Sequence, residues 1–409
     1  MATPIVVAGF EHGTTAGFAT GNSTNKYFDR TVGTLGTNLS VSSSAARTGT
    51  YGLRLSPSAA TVHAGFQNSG NGGILGSSGT LVGSFYFRFP TLPSADFNIF
   101  IDIGTAGGND VFIKYLNSTG GLQGVFGSAT QLGPIISANT WYRVDFRAVH
   151  NANPHTLDWK IDGVDQTQVS LAVASENIFI AGFGLDNANA TGTLDIDDVV
   201  LSLTSGDYPL GDNKVVLLLP DTGGTTTEIG TANATSRMVT NSALDATHNS
   251  ANILAAISEV PLVVGGSASG LGQRTSGTGN ACQVPMTTYT LTGGETITGL
   301  RVNCPTWAAS TTANNLGIRA HNGTAETTLF AAADYNGDTS STPAWICKMY
   351  TGVTDQTTLD ALNVRVGYSA DISPLPAVHA IYVEVAVLAG TATKAPILRR
   401  DPHRGLYMR

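Results

Sequence analysis

The sequence predicts an all-β protein with two sandwich-like domains and an extended C-terminal arm. The first observation is compositional: 42% of the residues are hydrophobic, only 12% are charged and 48 are glycine, which favours sheets with long turns over helical bundles. The second is the alternation of apolar and polar side chains, which is clearest in segment 141–164. Two alternating runs there flank a polar turn at 151–154 and end in Asp162-Gly163. This pattern predicts a hairpin with one buried face on each strand.

Strand-like segments follow one another from the start of the chain to residue 203. Glycine-rich or Asn-Asp turns separate them, and no helical pattern lies between them. This spacing predicts an antiparallel sandwich, a jelly roll, over residues 1–205. The predicted strands are 5–10, 51–55, 81–89, 97–103, 111–116, 121–126, 141–147, 157–161, 178–185 and 194–203.

A cluster of Gly, Pro and Asp predicts a linker at 206–212. Alternating apolar segments then resume, which predicts a second, mainly β domain over 213–390. Its predicted strands are 215–219, 284–291, 296–302, 316–320, 345–350, 362–368 and 378–388.

Two short parts of this second domain have helical character. Residues 237–260 are weakly helical in composition, and Asp355 predicts the N-cap of a helical turn at 355–361. In the last strand, the odd-numbered positions from 379 to 387 form the better core face, because they carry most of its branched apolar side chains.

Charge is distributed unevenly along the chain. Residues 1–210 carry 9 basic and 15 acidic side chains and 211–390 carry 7 and 13, so each part has a net charge of −6, whereas 391–409 carry 5 and 1 for a net +4. The acidic body argues against nucleic-acid binding. The basic arm mixes charge with apolar anchors, which favours docking onto a neighbouring acidic subunit over the alternative of a solvated tail. Its predicted anchoring residues are Arg399, Arg400, Arg404, Tyr407 and Arg409.

The three cysteines, Cys282, Cys304 and Cys347, show no metal-binding spacing. We expect free thiols, with a Cys282–Cys304 disulfide as the alternative. No apolar run reaches the roughly 18 residues that a membrane span needs, so we expect no membrane insertion. No signal peptide is visible, so we expect synthesis in a cytoplasm.

Motifs for catalysis are missing from the sequence. The 8 histidines are scattered, no GxSxG, HExxH or P-loop pattern occurs, and no two glutamates stand two positions apart on one strand. A hydrolase needs a paired acid and base, or a nucleophile with a base. We therefore predict that the protein is not an enzyme.

Three aromatic residues and two aspartates are the candidate ligand-binding residues. Trp141, Tyr27 and Tyr115 are candidates for stacking on a sugar ring, although Trp141 is also suited to covering a sandwich edge. Alternation places Asp195 and Asp197 on one strand face, where two carboxylates suit Ca²⁺. The alternative for them is a solvated strand face, and no other cofactor is expected.

Several short motifs, in this order, resemble the concanavalin A-like, laminin-G-like jelly roll over residues 1–205. They are Gly9-Phe10-Glu11, the RTGTYGLRL of 47–55, Trp141 with Val144 and Asp162-Gly163, and the IDDVVL of 196–201. This resemblance implies binding or structural roles more often than catalysis.

The second half of the chain is similar in style to virion proteins of tailed bacteriophages. The matching segments are 211–220, 345–352, 360–368 and 381–385. This resemblance implies a minor tail or fibre-type protein of the virion that contacts other virion proteins, with the second domain, 213–390, serving in virion assembly. The jelly roll would be displayed outward to bind a host-surface glycan, in a homo-oligomer and preferably a trimer, because avidity strengthens weak sugar contacts. A capsid decoration or head-fibre protein without a receptor and a carbohydrate-active enzyme are the alternatives.

Overall fold

The chain folds into antiparallel sheets, as the sequence predicts. The computed structural model describes residues 3–15, 17–18, 21–22, 27–57, 61–67, 74–105, 109–184, 191–221, 227–229, 238–240, 271–273, 281–307, 316–331, 344–368, 377–378 and 380–390.

The strands up to residue 202 form a first sandwich. In chain order they are β1 (Pro4–Ala8), β2 (Gly21–Asn22), β3 (Arg30–Val32), β4 (Leu39–Ser42), β5 (Gly52–Leu55), β6 (His63–Gln67), β7 (Thr80–Arg88), β8 (Phe97–Gly104), β9 (Val111–Leu116), β10 (Gly121–Phe126), β11 (Ala129–Ile135), β12 (Tyr142–Val149), β13 (His155–Ile161), β14 (Val164–Asp165), β15 (Val169–Leu171), β16 (Ile178–Gly184) and β17 (Leu194–Ser202).

These strands pair in two antiparallel sheets. The first has the order β14-β13-β12-β7-β17-β5-β4, with β1 beside β17 and β15 beside β13. The second has the order β11-β10-β9-β8-β16-β6-β3-β2. Sequence neighbours such as β7 and β8 therefore lie in different sheets, and the chain crosses repeatedly from one sheet to the other, which is the connectivity of a jelly roll.

Alternating side chains from both sheets fill the space between them. Phe146 of β12 and Phe100 of β8 meet with ring centroids 4.4 Å apart. On β13, every second side chain from His155 to Ile161 is buried. Trp159 lies on this face, and its indole nitrogen donates a hydrogen bond to the Thr167 carbonyl at 3.0 Å. Full burial of each such apolar side chain stabilises the fold by about 1.5–3 kcal/mol.

The remaining strands form a second pair of sheets. The elements are β18 (Asn213–Leu218), β19 (Thr227–Ile229), β20 (Met238–Thr240), β21 (Leu271–Gln273), β22 (Ala281–Pro285), β23 (Thr296–Trp307), β24 (Leu316–His321), β25 (Glu326–Phe330), β26 (Ala344–Met349), α1 (Gln356–Asp360), β27 (Asn363–Tyr368), β28 (Ala377–Val378) and β29 (Tyr382–Leu388). One sheet has the order β18-β29-β23-β28-β21-β20 with β26 beside β23, and the other has the order β19-β22-β27-β24-β25.

The two helical predictions in this half have different outcomes. The turn at 355–361 is confirmed as α1, which Asp355 caps by accepting a hydrogen bond from the Thr358 backbone N–H. Most of 237–260 lies outside the described residues, and Met238–Thr240 is a strand. Within the part of the chain that the structure describes, no helix is long and apolar enough to cross a membrane.

A buried polar interface joins the two sandwiches. The Arg301 guanidinium donates to the Val7 and Tyr27 carbonyls at 3.3 and 3.1 Å. The Glu384 carboxylate accepts from the Gly9 backbone N–H at 3.0 Å and from the Tyr27 hydroxyl at 2.8 Å. Both faces of β29 are consequently buried, because its odd-numbered residues face their own core and its even-numbered ones face the first sandwich.

The connection between the sandwiches is fixed by further hydrogen bonds. The Asp198 carboxylate at the end of the first sandwich accepts from the Val215 backbone N–H at 2.6 Å and from Arg47 at the same distance. In the linker, the Gly211 N–H donates to the buried Asp145 carboxylate at 2.7 Å. The outer face of β12, which alternation predicts to be solvated, is therefore partly covered.

Candidate functional site

Two histidines and a glutamate come together at one end of the first sandwich. His150, His155 and Glu176 each offer a ligand atom, and these atoms all lie within 4.8 Å of one another. Both imidazoles are fully buried, and Glu176 is 8% exposed. Within the described part of the chain, this is the cluster whose geometry could hold a metal ion.

Strand alternation places both histidines inside. Val144, Phe146 and Ala148 of β12 point into the core, and His150 continues that face just past the end of the strand. His155 opens β13 on the inward face. The backbone then fixes the neighbourhood: the His150 N–H donates to the Gly79 carbonyl at 2.6 Å, and the Glu176 N–H donates to the His150 carbonyl at 2.9 Å.

Carboxylates surround His150 on both sides. Asp102 of β8 places Oδ2 3.1 Å from His150 Nε2, and Glu176 places Oε1 3.8 Å from His150 Nδ1. Gly104 makes room for this arrangement, because a Cβ there would lie 2.2 Å from the carboxyl carbon of Glu176. The cluster is thus built from both sheets, with His150 and His155 from the first and Asp102 from the second.

Burial and neighbouring charges shift the pKa values of the two histidines in opposite directions. Burial lowers the pKa of His150, but the charges of Asp102 and Glu176 outweigh this and leave the pKa raised. Burial and the charge of His150 lower the pKa of His155. Burial and the charge of Asp102 raise the pKa of Asp110, which lies at the start of β9. The same cavity therefore contains an imidazole that favours its cationic form and one that favours its neutral form.

A polar pocket of about 400 Å³ opens beside the cluster. Glu176 belongs to both the pocket and the cluster. The other lining residues bring hydroxyl and amide groups, and the full lining is Thr105, Asn151, Ser175, Glu176 and Asn177. Such a set can hydrogen-bond a polyhydroxyl ligand through both donors and acceptors.

Two of the three aromatic candidates lie elsewhere and are buried. Tyr27 is 0% exposed at the interface between the sandwiches, and Tyr115 is 2% exposed in the core. The prediction that these two rings stack on a ligand from solvent is therefore contradicted by their burial. Trp141 is half-buried just before β12, and the Arg88 guanidinium lies 4.8 Å from its ring centroid. β12 separates Trp141 from His150, so the two lie at opposite ends of the sandwich.

Asp195 and Asp197 are both buried, and protein groups occupy their oxygens. Arg54 and Arg88 contact Asp195, each with an N–O distance of 2.7 Å. Asp197 accepts from the backbone N–H groups of Arg47 and Thr48 at 2.7 and 3.1 Å. Arginines and backbone donors at these carboxylates oppose the Ca²⁺ interpretation. Simple alternation also fails here, because a register shift follows Asp197 and the next residue has a φ of +53°.

The sequence carries a local signal for part of this cluster, which the predicted site residues do not include. His150 and His155 stand two residues from buried apolar positions on their strands, so alternation alone places both inward. The histidines are scattered along the sequence, but these two lie on strand faces that point into the same core. The predicted anchoring residues Arg399, Arg400, Arg404, Tyr407 and Arg409 lie outside the described residues. Cys304 and Cys347 are free thiols, as expected.

No family model matches the chain, and no curated protein matches it. Solved structures that it resembles include an endo-β-1,4-glucuronan lyase from Trichoderma reesei, with 14% identity over 46% of this chain and 96% of that one and a TM-score of 0.34. The catalytic domain of a glycoside hydrolase family 131 protein from Coprinopsis cinerea has 16% identity over 49% of this chain and 94% of that one, with a TM-score of 0.35. Trypanosoma rangeli sialidase has 12% identity over 38% of this chain and 25% of that one, with a TM-score of 0.31. At these identities the likeness concerns the fold.

The prediction that the protein is not an enzyme is wrong in the light of these comparisons. A lyase, a glycoside hydrolase domain and a sialidase stand among the structures that it resembles. The lack of familiar motifs in the sequence therefore does not exclude catalysis. The all-β prediction is confirmed by the antiparallel sheets of the structure.

Proposed function

We propose that the protein is a structural component of a phage particle, of the minor tail or fibre type, whose first sandwich binds glycan on the host surface. The polar pocket beside the histidine cluster carries the recognition part of this proposal. Its hydroxyl, amide and carboxylate groups match the hydroxyls of a sugar ring. The low charged fraction of 12% and the basic residues of 391–409 support the particle part.

The loops that line the pocket are tied to rigid strands. The Thr105 N–H donates to the Asn177 carbonyl at 2.8 Å, and the Ile178 N–H donates to the Ser78 carbonyl at 2.9 Å. A ligand therefore meets walls that are already ordered. Little conformational entropy is lost on binding, which favours recognition of small polar ligands.

The position of the pocket is compatible with display. It lies where β7 begins and β12 ends. The hydrogen bonds to the linker and the second sandwich come instead from β1, from the loops that follow β1 and β2, from the outer face of β12 and from the bulge in β17. A glycan can thus reach the pocket while the second sandwich is held by another protein. Several copies in one particle would strengthen a weak single-site affinity through avidity.

A glycan array probed with the full chain tests recognition. Asn151 is exposed at the pocket, so Asn151→Ala is expected to keep the fold and to weaken binding by about fivefold to tenfold, the equivalent of one hydrogen bond. Trp141→Ala is the matched control at the other end of β12 and is expected to bind normally. Loss of binding in Trp141→Ala alone would move the site to that end, and failure of the wild type to bind any glycan would refute recognition.

Immunogold labelling of purified particles tests the particle assignment. Label at the tail or its fibres is the expected result. Label over the head would favour the decoration alternative, and its absence from particles would refute the assignment.

Carbohydrate-active catalysis is the second candidate function, and the position of Glu176 favours it. This carboxylate lines the pocket and also lies 3.8 Å from a histidine nitrogen, so an acid–base group adjoins the space where a sugar would lie. Incubation with acidic and neutral polysaccharides, followed by assays for new reducing ends and for unsaturated products, tests it. Cleavage that is abolished in Glu176→Gln would establish catalysis at this site.

A further inference from the structure

We infer that His150, His155 and Glu176 bind a divalent transition-metal ion of the zinc class. The inference does not rest on the proposed glycan binding, because a metal could serve the fold alone. Its starting point is that these three side chains converge in one buried place at the mouth between the two sheets.

The donor set selects the class of metal. Two imidazoles and one carboxylate suit zinc and neighbouring first-row ions, whereas Ca²⁺ and Mg²⁺ prefer all-oxygen sites. Three protein ligands also leave a fourth position open for water or a ligand. Because Glu176 lines the pocket, an open position could face it.

The distances are close to those of a loaded site. Bonds of about 2.0–2.1 Å in a tetrahedral site place neighbouring ligand atoms roughly 3.4 Å apart. Glu176 Oε1 and His150 Nδ1 are already 3.8 Å apart, and all three ligand atoms lie within 4.8 Å. Side-chain adjustments of a few tenths of an ångström up to about an ångström would bring them into a common coordination sphere, with no movement of the strands.

His155 has a polar edge that the described protein does not satisfy. Both of its ring nitrogens are buried, and the Ala174 backbone can serve only one of them, so at least one is left without a hydrogen-bond partner in the described part of the chain. Buried polar groups in folded proteins normally have a partner. A metal ion in the cluster would provide one.

Neighbouring groups support His150 as a ligand. Asp102 lies at Nε2, which leaves Nδ1 directed at Glu176, and a carboxylate behind a metal-binding histidine is a common supporting arrangement. The Phe126 ring packs 4.8 Å from the His150 ring and 5.2 Å from the His155 ring, which restricts both imidazoles.

Two other buried histidines show why this cluster differs. His12 and His63 also have ring nitrogens without hydrogen-bond partners in the described chain. However, the positive charge of Arg301 acts on His12 and that of Arg30 acts on His63. At His150 the neighbouring charges are the carboxylates of Asp102 and Glu176, so a cation is favoured there and disfavoured at the other two.

The test uses the full chain after treatment with EDTA and desalting. Titration calorimetry with ZnCl₂ and elemental analysis are expected to give one tightly bound zinc per chain. His155→Asn and Glu176→Gln are expected to weaken binding at least 100-fold, and Asp102→Asn about 10- to 100-fold. His63→Asn, which alters another buried histidine, is the matched control and is expected to bind zinc normally. Co²⁺ in place of zinc reports coordination through its visible absorption spectrum.

Three results would overturn the inference. They are failure of the folded wild type to bind zinc at micromolar concentration, stoichiometric zinc in both His155→Asn and Glu176→Gln, and tighter binding of Ca²⁺ than of zinc. Circular dichroism checks that each variant is folded. If His155→Asn fails to fold, Glu176→Gln decides the outcome, because glutamine keeps the size and shape of glutamate.

Discussion

Replacement of Asp195 by asparagine separates the two interpretations of this buried carboxylate. In the structure Asp195 accepts from Arg54 at 2.7 and 3.0 Å and from Arg88 at 2.7 and 3.2 Å. These bonds join β17 to β5 on one side and to β7 on the other. Asparagine keeps the shape of the side chain but removes its negative charge and presents an NH₂ group to arginine donors.

The size of the effect follows from burial. Breaking a fully buried charged pair costs about 3–5 kcal/mol. Arg54 and Arg88 are 25% and 17% exposed, so water can partly rehydrate them after the substitution, and this reduces the loss. We therefore expect the free energy of unfolding to fall by about 3 kcal/mol.

Urea denaturation, followed by tryptophan fluorescence with and without EDTA, measures this loss. The matched control is Asp158→Asn, whose carboxylate pairs with the half-exposed Arg147 on the same sheet; it should cost less than about 1 kcal/mol. An Asp195→Asn loss as small as that of the control would refute the reasoning. EDTA that destabilises the wild type but not Asp195→Asn would show that a cation, rather than the arginines, uses this carboxylate.

Three further substitutions have defined outcomes. Burial raises the pKa of Glu11 from 4.5 to about 8, so unfolding releases a proton from this carboxyl between these pH values, and Glu11 alone lowers the stability by about 5 kcal/mol as pH rises from 4.5 to 8. Other buried carboxyls with a raised pKa, such as Asp29, keep their own contribution. Glu11→Gln should therefore show a shallower slope than the wild type, and equal slopes in urea melts would contradict the burial. Trp345→Phe loses the hydrogen bond from Nε1 to the Tyr382 hydroxyl at 3.0 Å and leaves a void between the sandwiches. We therefore expect the free energy of unfolding to fall by about 2 kcal/mol. An unchanged urea midpoint would argue against this contact. Gly104→Ala directs a Cβ at the Glu176 carboxylate and should lower the free energy of unfolding by about 1–3 kcal/mol. The double variant with Glu176→Ala should recover part of the lost thermal midpoint. If it does not, the clash lies elsewhere.

Alternation predicts most of the strands because side chains two positions apart share a face. It works for β7, β12 and β13, which have one face in a core. It misses β11 (Ala129–Ile135), an edge strand that contains Pro134 and in which no residue is fully buried. A strand without a buried face has no apolar period to detect.

Alternation does not predict burial on the outward face of a sheet when another part of the chain covers that face. The outward faces of β12 and β29 carry charged residues, yet Asp145 and Glu384 are buried. Their partners are the linker and the opposite sandwich. Nothing local in the sequence predicts these contacts, because they depend on how two separately patterned units meet.

The candidate site shows the same division between local and distant information. Alternation predicts that His150 and His155 face inward. It does not predict Asp102 or Glu176 beside them, because these come from the other sheet and from a connecting segment. Their convergence results from the stacking of the two sheets, for which the sequence has no local signal.

The interface at Arg301 and Glu384 limits the modularity of this chain. The linker at 206–212 is the position at which one half of the chain could be exchanged for another domain. Yet the second sandwich alone would expose the Trp345 and Tyr382 rings, which pack against His12 of the first sandwich. The first sandwich alone would lose the partners of Gly9 and Tyr27. Either half transplanted onto a foreign scaffold would need a new covering surface, so the two halves are best treated as one inheritable and expressible unit.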